Sequence, residues 1–350
     1  MSMDRPIVFV EVGRKIPSFA KNNIRFLRST FPQLKIILIT DQCSRFDGVQ
    51  VCNTKELEND DLVRQFKSKE KVWGDRLQQD YWRLTTERFF WLNAFIRLKD
   101  FDSIIHLESD VLLLNPLALN RMIDPKFGLS YSLQNASHGC AGVFVVSKKE
   151  SLLAFLIFVL KNWLRFQIND QILLAEWISS SGQNIQIFDP IPKNFNFEKA
   201  PTQEQKISLV DPGDFGIYLF GNDARNNRLP FSRLGSILNP DEFQAFQQYI
   251  LNCNILLFNR EISLHFSSKV HTYEIIAIHL HSKRVPKSLR SLKRQLRMRK
   301  YLLNSRRHRR NQVSFYSIFL FDFRVTLERL ISYLYQRKLL KNHWKDFRLR

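Results

Sequence analysis

Residues 101–117, FDSIIHLESDVLLLNPL, decide the fold. Residues 103–107 read as a buried strand, and a second apolar run, residues 111–114, follows after two acids, Glu108 and Asp110. Apolar residues on both sides place the segment deep in a sheet. Two carboxylates in such a place are costly unless a cation neutralises them. Acids at i and i+2 leaving a strand can point to one side and share a hard divalent cation. Taken alone, an acid at a strand end is more often a turn residue or a helix cap, so the reading depends on what surrounds the pair.

Toward the N-terminus, residues 7–12 (IVFVEV) read as a first buried strand, residues 18–31 as a helix with Phe19, Ile24, Leu27 and Phe31 near one face, and residues 34–40 (LKIILIT) as a second strand. Strand, helix, strand is a βαβ opening. Residues 55–79 form a polar excursion, and residues 81–98 form a helix with a broad aromatic face that feeds the acid-bearing strand. The expected class is therefore α/β, a Rossmann-like mixed sheet flanked by helices, with ligands at the carboxyl ends of its strands. Beyond the acids come a short strand at residues 127–133, a glycine turn into a strand at residues 138–146 (HGCAGVFVV), a helix at residues 149–166, and a helix start at NDQILL capped by Asn169 or Asp170. A last strand at residues 275–280 carries His279, and His281 follows two residues on, on the same face.

Charge divides the chain. Residues 283–350 carry 21 Lys and Arg against 3 Asp and Glu, whereas residues 1–282 carry 32 against 30. The expected organisation is a nearly neutral body at 1–282 and a basic, aromatic-rich tail at 283–350. The four cysteines show no metal-type spacing and read as free thiols of a reducing compartment. No signal peptide is recognisable at the N-terminus, and the longest apolar run, residues 152–160, is too short to span a bilayer.

Four segments can converge on one site: Glu108 with Asp110, the glycine turn ending at Gly142, Asp170 with Gln171, and the late His279/His281 pair. In this order they resemble the GT-A glycosyltransferases, and among those the glycogenin-like and lipopolysaccharide-type nucleotide-sugar enzymes. The resemblance covers residues 7 to about 283. It implies an acid–x–acid motif that holds Mn²⁺ or Mg²⁺ on the diphosphate of a nucleotide-sugar donor, UDP-linked by the same resemblance. RLTTERFFWL is similar to the family's helix with a donor-binding basic residue, which puts Arg88 in that role. NDQILL is similar to its DQ-x-x-L segment, placing Asp170 and Gln171 beside sugar and acceptor. HLHSK is similar to its late metal-binding histidine, with His281 favoured over His279 and Lys283 near the phosphates. Two departures stand out: the first acid is Glu108 rather than Asp, and the interval from Asp170 to His281 is long and holds DPGDFGIYLFGND, read as an acceptor-side loop.

The implied reaction is hexosyl or N-acetylhexosaminyl transfer to a glycan or lipid-linked acceptor. If the enzyme inverts, a carboxylate must take the acceptor proton, with Asp170, Asp211 and Asp214 as candidates. If it retains, Asp170 and Gln171 steady the sugar face. In the tail, thirteen Lys and Arg in residues 283–310 are threaded with Leu289, Leu292, Leu296, Leu302 and Leu303, and an apolar, aromatic stretch follows. Basic heads beside apolar residues suit a helix on an anionic membrane, so the expected location is cytoplasmic and peripheral on the inner face. A nucleic-acid-binding protein with a non-catalytic body is the alternative; it is weaker because no base-reading motif accompanies the charge.

Overall fold

The computed structural model describes residues 4–13, 15–43, 45–69, 77–163, 169–181, 184–188, 205–213, 216, 253–258, 261–267, 271–280 and 285–294. The opening βαβ unit is β1 (Ile7–Glu11), α1 (Ser18–Thr30) and β2 (Ile36–Thr40), followed by a short strand β3 (Gln50–Asn53) and helix α2 (Asp61–Ser68). Helix α3 (Leu77–Lys99) leads into β4 (Ile104–Leu107), the strand that ends at the acids, and β5 (Val111–Leu113) leaves them. Then come α4 (Pro116–Met122), β6 (Leu129–Asn135), β7 (His138–Val146), α5 (Lys149–Asn162), α6 (Asp170–Ser181) and β8 (Ile185–Phe188). The later strands are β9 (Gln205–Val210), β10 (Cys253–Phe258), β11 (Glu261–Ser267) and β12 (His271–His279).

The main sheet has seven strands in the order β3-β2-β1-β4-β7-β6-β8. β1 lies parallel to both β2 and β4, while β7 runs antiparallel to β4 and β6, so the sheet is mixed. Both faces are covered, and this follows from the sequence: successive residues of an all-apolar strand point to opposite sides. Ile7 and Phe9 join one core with Ile24 and Leu27 of α1 and Ile275–Ile278 of β12. Val8 joins the other, with Phe89, Phe90 and Phe95 of α3, Phe155 of α5 and Leu173 of α6. The second half of α3 is buried on all sides from Thr86 to Ile96, which accounts for its weakly one-sided pattern. Phe144 of β7 sits between Phe89, Tyr131 and Phe155, with ring centroids 5.0, 5.8 and 6.5 Å away.

A smaller sheet, β10-β11-β12-β5, with β9 parallel to β12, begins where the main sheet hands over at the acids. β5 pairs antiparallel with the end of β12, Val111 opposite His279, and Leu280 N donates to Asp110 O at 2.7 Å. Strands β3 and β8 to β11 go beyond the sequence expectations. The helix after β7 was expected to reach residue 166, and among the described residues it ends at Asn162.

The break in charge at residue 283 is not a break in packing. Val285 and Leu292 are buried in the core formed with β12, and Leu289 packs on it. Leu289 and Leu292, three residues apart, lie on one face of the helical turn that starts at residue 289, and Val285 precedes it. Leu289 and Leu292, read from the sequence as part of a membrane-facing helix, therefore cover the body instead. Residues 295–350 lie outside the described residues. Cys43, Cys52 and Cys140 are free thiols, Cys52 and Cys140 buried, and burial pushes the Cys52 thiol up to about 11. No described helix is long and apolar enough to cross a membrane.

Phe144→Ala should lower stability by about 3–5 kcal/mol, because it opens a cavity among three aromatic rings. Leu153→Ala, on the exposed side of α5, should stay within about 0.5 kcal/mol of wild type. Denaturant melts of the two variants check the placement of the aromatic core.

Candidate metal centre and active site

The acids sit in a tight turn between two sheets. Glu108 N donates to Gly142 O at 3.0 Å, and Val111 N donates to Glu108 O at 2.9 Å, which closes the turn. From α1, the buried Asn23 side chain donates to Ser109 O at 3.2 Å and to Val111 O at 2.6 Å, bracketing Asp110. Ser109 Oγ donates to the carboxylate of Glu11 at the end of β1. Both carboxylates of the pair are thereby held at the carboxyl ends of the parallel strands β1 and β4, where α/β sheets collect ligands.

Across the sheet junction the pairing of β5 with β12 brings His279 to the pair. His279 Nε2 lies 3.2 Å from Glu108 Oε2 and 3.3 Å from Asp110 Oδ2. One ligand atom from each of Glu108, Asp110 and His279 falls within 4.8 Å of the others. Two carboxylate oxygens and an imidazole nitrogen converging at that spacing form a donor set suited to a hard or borderline divalent cation. Burial opposes charge on the imidazole, but the adjacent Asp110 carboxylate, helped by Cys140, holds it protonated well above the ordinary histidine value. A cation bound at Nε2 would take the place of that proton.

A second cation is built in beside it. The Arg88 guanidinium on α3 bridges the Glu108 carboxylate and Asp170 Oδ2, the latter at 2.5 Å. Asp170 is buried, and its other oxygen accepts from Thr85 Oγ1 at 3.3 Å. Burial pushes the Asp170 carboxyl above the ordinary aspartate value, against the pull of Arg88. The cap of α6 is Asn169, whose Oδ1 accepts from Gln171 N at 2.9 Å, which frees the Asp170 side chain to face α3. His106, on β4, is buried beside this group and bonded through Nδ1 to Val8 O at 2.9 Å. Burial, with Arg88's charge added, pushes it down to about 3, so it stays neutral.

The segments singled out in the sequence therefore meet: Glu108, Asp110, His279, Arg88, Asp170 and Gly142. Gly142, within β7, borders the site. A Cβ there would lie 3.0 Å from Val111 Cγ2 and 3.3 Å from His279 Nδ1, so its missing side chain makes room for the imidazole. Gln171 follows Asp170 on the first turn of α6, partly buried. Asp211 lies beside His279, both carboxylate oxygens accepting backbone N–H groups, from Gly213 at 3.0 Å and Gly216 at 2.7 Å. His281, Lys283 and Asp214 lie outside the described residues; His279 is placed among the acids. Asn23, Glu11, Ser109 and Cys140 were missed, because nothing local in the sequence marks a helix asparagine or a strand-end glutamate as facing a turn 86 to 98 residues away.

Arg88→Met should cost about 3 kcal/mol of stability, since it leaves the buried Asp170 carboxylate and its neighbour Glu108 without their shared partner. Thermal melting beside an exposed control such as Arg64→Met, expected to be near neutral, tests this.

No protein-family model and no curated protein matches the sequence. Solved structures to which the chain is similar include mouse xyloside xylosyltransferase 1 in its apo form, at 11% identity over 53% of this chain and 85% of that one, with a TM-score of 0.39. Another is the galactosyltransferase LgtC in complex with donor and acceptor sugar analogues, at 12% identity over 69% of this chain and 94% of that one, TM-score 0.36. A third is the apo glycosyltransferase GlyE of Streptococcus pneumoniae TIGR4, at 15% identity and TM-score 0.36, where 53% of this chain spans 45% of that one. Likenesses of this size do not by themselves assign an activity to the chain.

Proposed function

We propose that this protein is a metal-dependent glycosyltransferase of GT-A type that moves a sugar from a nucleotide-sugar donor, UDP-linked, to a glycan or lipid-linked acceptor. The observation that carries the reading is the convergence of Glu108, Asp110 and His279, with ligand atoms within 4.8 Å, at the carboxyl ends of strands of a mixed α/β sheet. The resemblance of the acid–x–acid, DQ and late-histidine segments to that family supplies the choice of substrate class.

Glu108, Asp110 and His279 would hold Mn²⁺ or Mg²⁺, which when bound supplies Lewis-acid stabilisation of the charge on a departing nucleoside diphosphate. The transfer breaks the bond from the anomeric carbon to the diphosphate oxygen, forms one to an acceptor oxygen, and releases the acceptor hydroxyl proton. The chain's own residues prepare the site for that. Arg88 places a fixed positive charge next to the acid pair, where negative charge grows in the transition state, so no reorganisation is needed during reaction. Asp170 is read as the anchor of Arg88, because Thr85 and Arg88 already engage its two oxygens. That arrangement suits orientation of a sugar face better than proton abstraction. The basic tail is proposed to attach the enzyme to an anionic, cytoplasm-facing membrane, close to a lipid-linked acceptor.

Asp110→Asn should abolish Mn²⁺-dependent hydrolysis or transfer in a donor screen while the protein still melts cooperatively. Near-normal activity with Mn²⁺ would contradict the assignment. Deleting 295–350, which spares the buried Val285 and Leu292, should leave a folded body that no longer co-sediments with anionic vesicles at low salt. Equal sedimentation of full-length and truncated protein would exclude the tail as the anchor. Retention of full-length protein on RNA or DNA at about 0.15 M salt, without vesicle binding, would favour the nucleic-acid alternative.

A further inference from the structure

We infer that Asp211 is a positioning residue for the cation site: it folds a turn whose Pro212 carbonyl fixes the orientation and tautomer of His279. This rests on the cation reading proposed above.

Strand register sets the geometry. β9 runs parallel to β12 with Val210 opposite Ala277, so the chain leaves β9 alongside the end of β12 that carries His279. Asp211 N donates to Ala277 O at 3.0 Å, tying the exit point to β12. The Asp211 carboxylate, only 3% exposed, then accepts from Gly213 N at 3.0 Å and Gly216 N at 2.7 Å. Hydrogen bonds from backbone N–H groups to an ionised carboxylate are stronger than neutral ones, so the turn is firmly held. Gly213 has φ 139°, and a Cβ on Gly216 would collide with the His279 carbonyl, so glycine at both positions lets the turn lie against the strand.

The product of this turn is a carbonyl in a particular place. Pro212 O lies 3.3 Å from His279 Nδ1 and 3.3 Å from Cys140 Sγ, and Cys140 Sγ lies 3.6 Å from Nδ1. A carbonyl oxygen can only accept, so Nδ1 carries a hydrogen and Nε2 is the atom turned to Glu108 and Asp110. A metal-ligating imidazole commonly has its other nitrogen held by a carbonyl or carboxylate, which fixes the ring and raises its basicity. The chain uses a carbonyl here, with the carboxylate one step behind it. A general base needs an oxygen directed at its substrate; those of Asp211 are directed into its own backbone.

The test is Mn²⁺ affinity without donor or acceptor, measured from the free-ion EPR signal, on wild type, Asp110→Asn, Asp211→Ala and Asp211→Asn. Asn115→Ala serves as a control: it removes a helix cap that also donates to Glu274 on β12, so it destabilises nearby packing without touching the site. The Asp211 variants should bind Mn²⁺ about 10- to 100-fold more weakly, whereas Asn115→Ala should bind as wild type despite a lower melting temperature. Asp211→Asn keeps the shape and one accepting oxygen, so it carries the test should Asp211→Ala fail to fold. Wild-type affinity in both Asp211 variants, with binding lost in Asp110→Asn, overturns this inference alone. Wild-type affinity in Asp110→Asn overturns the cation reading, and the inference with it.

Discussion

Moving a carboxylate from water into a protein interior costs several kcal/mol unless opposite charge meets it. Asp110 imposes that cost in full and the half-buried Glu108 in part, within one turn, and Asp170 adds a second buried acid nearby. The architecture around them supplies compensation from two directions, Arg88 from α3 and His279 from β12, while Asn23 of α1 holds the carbonyls of the turn in place. None of these groups is a sequence neighbour of the acids. The βαβ opening, the long buried helix and the second sheet are thus all needed to make one compensated site.

The parts legible in the sequence are those written in local periodicity. The apolar runs of β1, β2 and β4, the amphipathic α1 and the aromatic α3 each carry their signal within a dozen residues or so. The acid pair was legible because acids directly after a buried strand break the expected pattern, and a broken pattern marks function more than fold. What stayed hidden was pairing. That β12 would meet β5, with His279 opposite Val111, depends on the register of segments more than 160 residues apart. Asp170 illustrates the same limit: its helix-start position is a local fact, its bond to Arg88 a tertiary one. With Asn169 taking the cap, the carboxylate was released for the site.

The tail shows how charge and packing report different boundaries. Lys and Arg counts change sharply at residue 283, yet Val285 and Leu292 complete the core over β12. A basic helix can bury one apolar stripe while its long cationic side chains remain in water. The start of the basic segment therefore belongs to the body energetically. This matters for His279 too, because Val285 and Leu292 cover the strand that delivers it.

The central claim is that Glu108, Asp110 and His279 share a divalent cation. It is tested most directly by the nitrogen hyperfine coupling of bound Mn²⁺ in pulsed EPR. An imidazole ¹⁴N coupling is expected in wild type, kept in His281→Ala and lost in His279→Ala. Absence of the coupling from Mn²⁺-loaded wild type, or its persistence in His279→Ala, would contradict it.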